Sequence, residues 1–524
     1  MSRLLALSVL AALPAFAMAG EHDWTSYNRS LTSDRYVDMN QITPANVGKL
    51  KVACTYDTGL KVSFQTGPLV VDGVLYATTT KDIFAIDAAT CKELWRTRED
   101  YEPAGVLNVN RGAAYLDGKL FRGTQDGRVL AYDAKTGKRL WETTIADPKK
   151  GETVPAAPIA WQGLVFVGNA GGDNYGVKGR MYALDAATGK IAWEFYLVPK
   201  DKADGAHVGA KSWGNADDVP IAGGATWTSY TLDPERGLLY VPGGNPAPDF
   251  KAGLRPGDNL FTNSVVVLDA KTGAYKTHYS LVPEDFHDWD VSAAPVLLTD
   301  KTGKRRLVAA PKNGHLYGID IESGARLYRS AITTVTNADV PLSAKGTRFC
   351  PGTQGGVEWN GPAYSPRTGL VYTGAVDWCS TVRVADEAKV RNVSQGQPWS
   401  GSADEKEMFG KMDPQKNWAG WLYASDAATG VRKWRFKTRA PLMSGVTPTA
   451  GGLVFFGDMA GRLYGFDAGS GKSLWTHDLD GAIGGGVISY EANGKQFLTV
   501  ASGMTSPIWP TADVTAKIVV FALE

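Results

Sequence analysis

Cysteine is scarce in this chain of 524 residues, with only four present. No Cys-x-x-Cys-His occurs, so these residues carry no covalently attached c-type haem. An excess of one charge is missing too: 55 Lys and Arg stand against 54 Asp and Glu, for a net charge of +1. With no extended basic run, this balance argues against nucleic acid or an anionic membrane as partner. Beyond residue 19 no apolar run is long enough to cross a bilayer. The one apolar run, residues 4–16, follows Arg3 and ends at Ala17-Met18-Ala19, a small-x-small pattern. It reads as a signal peptide over residues 1–19, with a buried N-terminal helix as the alternative. No Cys follows that cleavage site, which argues against a lipid anchor there. The mature chain is then expected to start near Gly20 and to be periplasmic or secreted.

Export changes how the four cysteines read. In an oxidising compartment an even count favours disulfides, and four Cys allow three pairings. Cys350 and Cys379 bracket one hairpin-like stretch, which favours that bond and leaves Cys54 with Cys91. Buried free thiols are the alternative.

What the chain has in quantity is turn residues and indoles, with 60 Gly and 16 Trp. Seven times a short strand runs into an Asp-Ala-x-Thr-Gly-like turn, starting at Asp87, Asp133, Asp185, Asp269, Asp320, Asp426 and Asp467. In five of these a Trp stands eight residues after the Asp (Trp95, Trp141, Trp193, Trp434 and Trp475), while Thr277 and Tyr328 take its place in the other two. Repetition of a unit of roughly 40–50 residues signals a radial array of small sheets. Strands such as Gly127-Arg-Val-Leu-Ala-Tyr132 alternate as half-buried antiparallel strands do. The expected fold is all-β, one propeller domain over residues 20–524. Residues 518–523 repeat the strand without its turn and are expected to pair near residues 50–56, making an eighth blade from both ends of the chain. The count is seven if the ends do not meet. Closure would remove the sheet edges that template aggregation. The Trp residues read as wedges between blades, each ring burying ~150–250 Å².

The repeat is stretched twice, to 84 residues between Asp185 and Asp269 and to 106 between Asp320 and Asp426. The excess lies in irregular segments at 245–259 and 394–418, and long loops on a rigid scaffold commonly carry function. Three polar clusters stand in or near these intervals: Gly171-Gly-Asp-Asn-Tyr-Gly-Val-Lys-Gly179; Thr226-Trp227 with Gly243-Gly-Asn-Pro-Ala-Pro248 and Arg255-Pro-Gly-Asp-Asn-Leu260; and Asp285-Phe-His-Asp-Trp-Asp290. They offer amide and carboxylate oxygens suited to a hard cation such as Ca²⁺, an aromatic plate, and a carboxylate able to act as a base. His287 reads as a structural hydrogen-bonder rather than a metal ligand.

The repeats, Val109-Asn-Arg-Gly112, the Gly-rich segment 171–179, Gly244-Asn-Pro246 and His287-Asp-Trp-Asp290 together resemble the pyrroloquinoline quinone (PQQ)-dependent alcohol dehydrogenases. The similarity runs over essentially the whole mature chain. It implies an eight-bladed propeller holding PQQ near its axis beside a metal ion, Ca²⁺ or a lanthanide. By this resemblance Trp227 would lie against one face of PQQ and Arg111 would pair with a cofactor carboxylate. Gly172, Asp173, Gln65 and Glu358 would line the cofactor. Asn174, Asn245, Asp288 and Asp290 would face the metal, with Asp288 also the general base. Lys312 would hydrogen-bond a quinone oxygen. The implied reaction is hydride transfer from an alcohol to PQQ, with electrons passing to a separate soluble cytochrome c. A non-catalytic periplasmic binding or assembly scaffold is the alternative.

The chain departs from the family pattern at several positions. Asn174 stands where many relatives have a Glu ligand, and Gln65 where a Glu often contacts the cofactor. Gly105-Val106 replaces a vicinal Cys pair, Met443 a second Trp near the opening, and Glu358 an Asn.

Overall fold

The corner of the repeat is built by its own side chains. In a computed structural model of the chain, describing residues 20, 22–102, 104, 108–404 and 406–524, each motif aspartate accepts hydrogen bonds from the turn that follows it. At Asp87 one carboxylate oxygen takes both the N–H and the hydroxyl of Thr90, each at 2.8 Å. The next residue adopts the left-handed conformation, as Gly189 does at φ 74°. Cys91 holds the same conformation at φ 59° in the one copy without glycine. Residues 1–19, expected to be a signal peptide, and Gly105-Val106 lie outside the described residues.

Each corner joins the third and fourth strands of an antiparallel sheet. Among the described residues there are eight such four-stranded sheets, the blades of a propeller. Two smaller sheets accompany them. One pairs Ala222–Gly223 with Pro246–Ala247; the other joins Thr347–Phe349, Ser380–Val382 and Lys411–Met412. Each smaller sheet falls in one of the two stretched intervals of the repeat.

The motif Trp is the contact between blades. Trp95 Nε1 donates to the carbonyl of Ala134 in the next corner at 3.0 Å, Trp141 reaches Ala186, Trp193 reaches Ala270 and Trp434 reaches Ala468. The glycine of that next corner lies on the indole: a Cβ on Gly137 would stand 2.4 Å from Trp95, and one on Gly471 2.5 Å from Trp434. Tyr328 does the same work through its hydroxyl, on Ala427 at 3.2 Å.

The ends of the chain meet. Leu50–Asp57 pairs antiparallel with Lys517–Leu523, from Leu50 opposite Leu523 to Asp57 opposite Lys517, and completes the eighth sheet. Tyr490 of that sheet donates to the carbonyl of Ala88 in the first corner, closing the ring. Both disulfides expected from the sequence form, Cys54–Cys91 and Cys350–Cys379. The first ties the closing strand to the first corner and so staples the seam covalently.

One feature has no sequence signature. Residues 24–37 run as a strap across the ring, exchanging backbone hydrogen bonds with six sheets through Val70, Tyr115, Leu232, Leu297, Tyr364 and Pro448. Tyr27 of the strap packs on Gly67 and Gly112, the latter next to Arg111.

The Cys54–Cys91 bond spans 37 residues, a loop whose closure entropy is worth about 3–4 kcal/mol. Replacing both cysteines by Ala should lower unfolding free energy by about 2–4 kcal/mol, read as a lower denaturant midpoint with an unchanged far-UV spectrum.

Candidate functional site

In an up-and-down antiparallel sheet, the entry to the first strand and the connection between the second and third lie at the same end. The candidate residues all occupy one of these two places. Gln65, Arg111, Trp227, Asp288, Asp290 and Glu358 precede first strands. Gly172, Asp173, Asn174, Asn245 and Lys312 lie between second and third strands. The Asp-Ala-x-Thr-Gly corners occupy the opposite end. The fold therefore gathers all eleven residues, spread over almost 300 positions of sequence, into one wall. They line a single cavity with about 1170 Å³ of non-atom space counted to its open mouth.

Two groups of side chains divide this cavity. On one side the guanidinium of Arg111 lies 4.6 Å from the ring centre of Trp227 and 5.4 Å from that of Trp359, contacts worth roughly 0.5–2 kcal/mol each. Its Nη1 donates to the carbonyl of Trp227 at 2.8 Å, whereas Nε has no partner. Burial pulls its pKa down to about 10, so it remains a cation at neutral pH. Glu358 and Gln65 each present a buried oxygen without a donor. Burial raises Glu358 to about 8, against the pull of Lys312 and Arg111, so it is a neutral acid at neutral pH. A buried cation between two indoles, with unmet polar atoms around it, suits a planar anionic ligand.

The other side is an acidic cluster around one lysine. Lys312 Nζ lies 2.5 Å from Asp290 and 3.4 Å from Asp288. Burial opposes its charge, but Asp288, Asp290 and Glu358 hold its pKa well above the ordinary range. Gly355 lies against the stem of Lys312, where an added Cβ would come within 2.4 Å of Cγ. Burial lifts Asp288 well above the carboxylate range against the pull of Lys312, and Asp173, Asp290 and Asp249 add to the rise. Burial and Asp290 lift Asp173 to about 6. The carboxylates thus outnumber the one ammonium among them.

Backbone geometry fixes these carboxylates. Asp285 accepts the N–H groups of His287 and Trp289, and Asp288 takes φ 66° between them, a left-handed conformation that an aspartate adopts when its surroundings impose it. His287 stacks on Trp289 at 3.9 Å and meets Phe349 edge-on, a packing role. Asn245 N donates to Asp290 at 2.8 Å, so the two loops are joined directly. Asn174 donates its amide to the carbonyl of Gly151, leaving its own carbonyl oxygen as the donor atom it can offer a cation. Arg255, 1% exposed, donates to the carbonyls of Pro248, Asp249 and Asp285 and to Asn259 Oδ1. It is the clamp between the Asn245 and Asp288 loops.

Hard oxygen donors and surplus negative charge fit a metal cation. Among the described residues no three carboxylate, imidazole or thiolate groups form a metal-binding group by themselves. The side chains of Asn174 and Asn245 add amide groups to the carboxylates that line the same cavity.

Sequence reasoning did not find Trp359, Met408, Phe409 or Trp509, which also line the cavity. Met408 and Phe409 come from the stretched segment 394–418, whose functional weight the spacing did signal. Met443 is fully buried in the same core cluster as Trp359 and Trp509, and those two indoles are the ones that line the cavity.

Comparison with known proteins bears on this arrangement. A family model described as the glucose/ethanol/alcohol dehydrogenase β-propeller domain, named for PQQ, matches residues 24–343. Quinohemoprotein alcohol dehydrogenase ADH-IIG of Pseudomonas putida is 33% identical over 520 residues, covering 92% of this chain and 72% of that protein. The chain belongs to the PQQ-dependent alcohol dehydrogenases. The solved structure of the Pseudomonas enzyme superposes with a TM-score of 0.87, covering 96% of this chain and 80% of that one. Lanthanide-dependent methanol dehydrogenase of Methylacidiphilum fumariolicum is 30% identical over 92% of this chain and 84% of that protein. A europium-containing methanol dehydrogenase structure gives a TM-score of 0.83 at 28% identity, covering 96% of this chain and 98% of that one. A model for outer membrane assembly factor BamB matches residues 419–513, which hold two of the repeats. A solved BamB from Moraxella catarrhalis, at 14% identity and a TM-score of 0.51, shares the fold alone. This PQQ-dependent alcohol dehydrogenase thus keeps its family's architecture around the acidic cluster described above.

Replacing Arg255 with Met removes the donors to three carbonyls and one amide at once. Stability should fall by about 3–5 kcal/mol, since each buried acceptor left without a donor costs about 1–3 kcal/mol, read as a depressed thermal unfolding midpoint.

Proposed function

We propose that this dehydrogenase oxidises an alcohol to an aldehyde or ketone at the boundary between the cation–indole side and the acidic side of the cavity. The observation that carries this reading is the joining, in one cavity, of an unpaired buried cation between two indoles to a carboxylate cluster in excess of its lysine. Arg111 would hold a carboxylate of PQQ, and Trp227 would lie against its ring plane. Gly172, Asp173, Gln65 and Glu358 would line it. Asn174, Asn245, Asp288 and Asp290 would hold Ca²⁺ or a lanthanide. When bound, PQQ supplies the hydride acceptor and the cation polarises it.

The protein supplies orientation and proton handling. Asp288 would be the general base: a cation held beside it would favour its carboxylate form against the upward push of burial, and that carboxylate would take the proton of the alcohol hydroxyl. Lys312 stays protonated beside it and would be the cation that offsets negative charge developing on a bound quinone. The indoles and Phe409, which line the same cavity, would exclude water and seat the carbon side of the alcohol.

Electrons would leave to a separate soluble cytochrome c. Export by a signal peptide over residues 1–19 is supported by the two disulfides, since such bonds persist in oxidising compartments.

Apo-protein mixed with PQQ and either Ca²⁺ or a lanthanide should reduce an artificial dye when given an alcohol panel. Asp288→Ala should lower turnover by at least about 10²-fold, the low end of general-base contributions, with an unchanged circular dichroism spectrum. Full activity in that variant would remove Asp288 as the base, and no turnover by the parent protein with any metal would remove the dehydrogenase reading.

A further inference from the structure

Behind the cavity wall stands a carboxylate that the reaction above does not use. Asp249 is fully enclosed; its Oδ1 accepts a 3.0 Å hydrogen bond from Asn245 Nδ2, and its Oδ2 meets no donor. Arg255 is close, but its bonds go to the backbone carbonyls of Pro248, Asp249 and Asp285 and to Asn259. The Asp173 carboxylate draws hydrogen bonding from the same Asn245 side chain. An amide has one NH₂ and one carbonyl, and the two ends exchange places when the group flips. With Asp249 Oδ1 accepting from its nitrogen and Asp173 drawing on the same NH₂, the flipped form of Asn245 would set its carbonyl oxygen against two carboxyl oxygens and lose both bonds. The main-chain N–H of Asn245 is also spent, on Asp290. What Asn245 has left to offer the cavity it lines is its carbonyl oxygen.

We propose that Asp249 is a positioning residue, which holds the Asn245 amide so that its carbonyl oxygen and not its NH₂ faces the cation bound in the cavity. The inference rests on the reading of Asn245 as a metal ligand. It separates two roles within the acidic cluster: Asp288 and Asp290 offer charge to the cation, whereas Asp249 acts at one remove by fixing a neutral ligand. An enclosed carboxylate with one unmet oxygen is a liability to the fold, so replacing it by an isosteric amide should not lower stability. A residue that merely supported the loop would behave in the opposite way.

The test is a titration of apo-protein with Tb³⁺, read by terbium emission sensitised through tryptophan, with Ca²⁺ as competitor. Asp249→Asn should weaken binding by about 10–100-fold, the usual effect of losing a group that orients a ligand. Its thermal midpoint should be no lower than that of the parent, and Asp249→Glu should recover part of the affinity. A second comparison does not depend on the single variant. In Asn245→Asp the ligand has no NH₂ to hold, so adding Asp249→Asn should tighten binding by removing a like charge. Equal weakening by Asp249→Asn in both backgrounds, or unchanged affinity in the single variant, overturns the positioning role while leaving the metal site standing. Absence of any Tb³⁺ or Ca²⁺ binding by the parent protein overturns the metal reading, and this inference with it.

Discussion

The contact on which the molecule depends is the docking of one blade's indole or phenol onto the next blade's corner. It is a short-range interaction made from a carbonyl, a glycine and a ring, as between Trp95 and the Ala134–Gly137 corner. Because it recurs from blade to blade, the sheets advance around an axis until Leu50–Asp57 meets Lys517–Leu523 and Tyr490 reaches Ala88. A closed ring has a geometric consequence. Strand entries from distant parts of the chain converge at one end, and residues as separate as Gln65 and Glu358 become neighbours. The scaffold motif and the site are kept apart by the same topology, since the corners lie at the other end of every sheet.

Convergence brings together groups that repel. Asp173, Asp249, Asp288 and Asp290 share a desolvated region with Lys312 as the cation among them, and burial with mutual repulsion pushes Asp173, Asp249 and Asp288 upward in pKa. Such a cluster is costly to the fold unless a cation completes it. It is held nonetheless, by the Arg255 clamp, the bond from Asn245 N to Asp290 and the Asp285 turn. The protein therefore spends rigidity where its charge is least comfortable, as preorganised sites do.

Much of this was legible in the sequence because its signals are local. An Asp, a Gly and a Trp at fixed offsets describe a corner and a docking ring without reference to the rest of the chain. Interruption of that spacing marked the two intervals that hold the accessory sheets, Asn245 and Phe409. The constellation of Arg111, Trp227, Asn245 and Asp288 came through resemblance, and the fold brings those residues to one cavity. What stayed hidden is non-local. The strap at 24–37 has no periodicity, since its hydrogen bonds are made to six different sheets. Arg255 reads as one residue of a polar loop until its carbonyl partners are seen, and Asp249 carries no sequence signal of its own.

The central claim is that one cavity holds both PQQ and the metal. The measurement that tests it most directly is an equilibrium titration of apo-protein with PQQ, followed by quenching of tryptophan emission with and without Ca²⁺ or a lanthanide. The account predicts saturation at one PQQ per chain, tightened by the metal and abolished when Arg111 is replaced by Ala. Binding that does not saturate, or that is indifferent both to the metal and to Arg111, would contradict it.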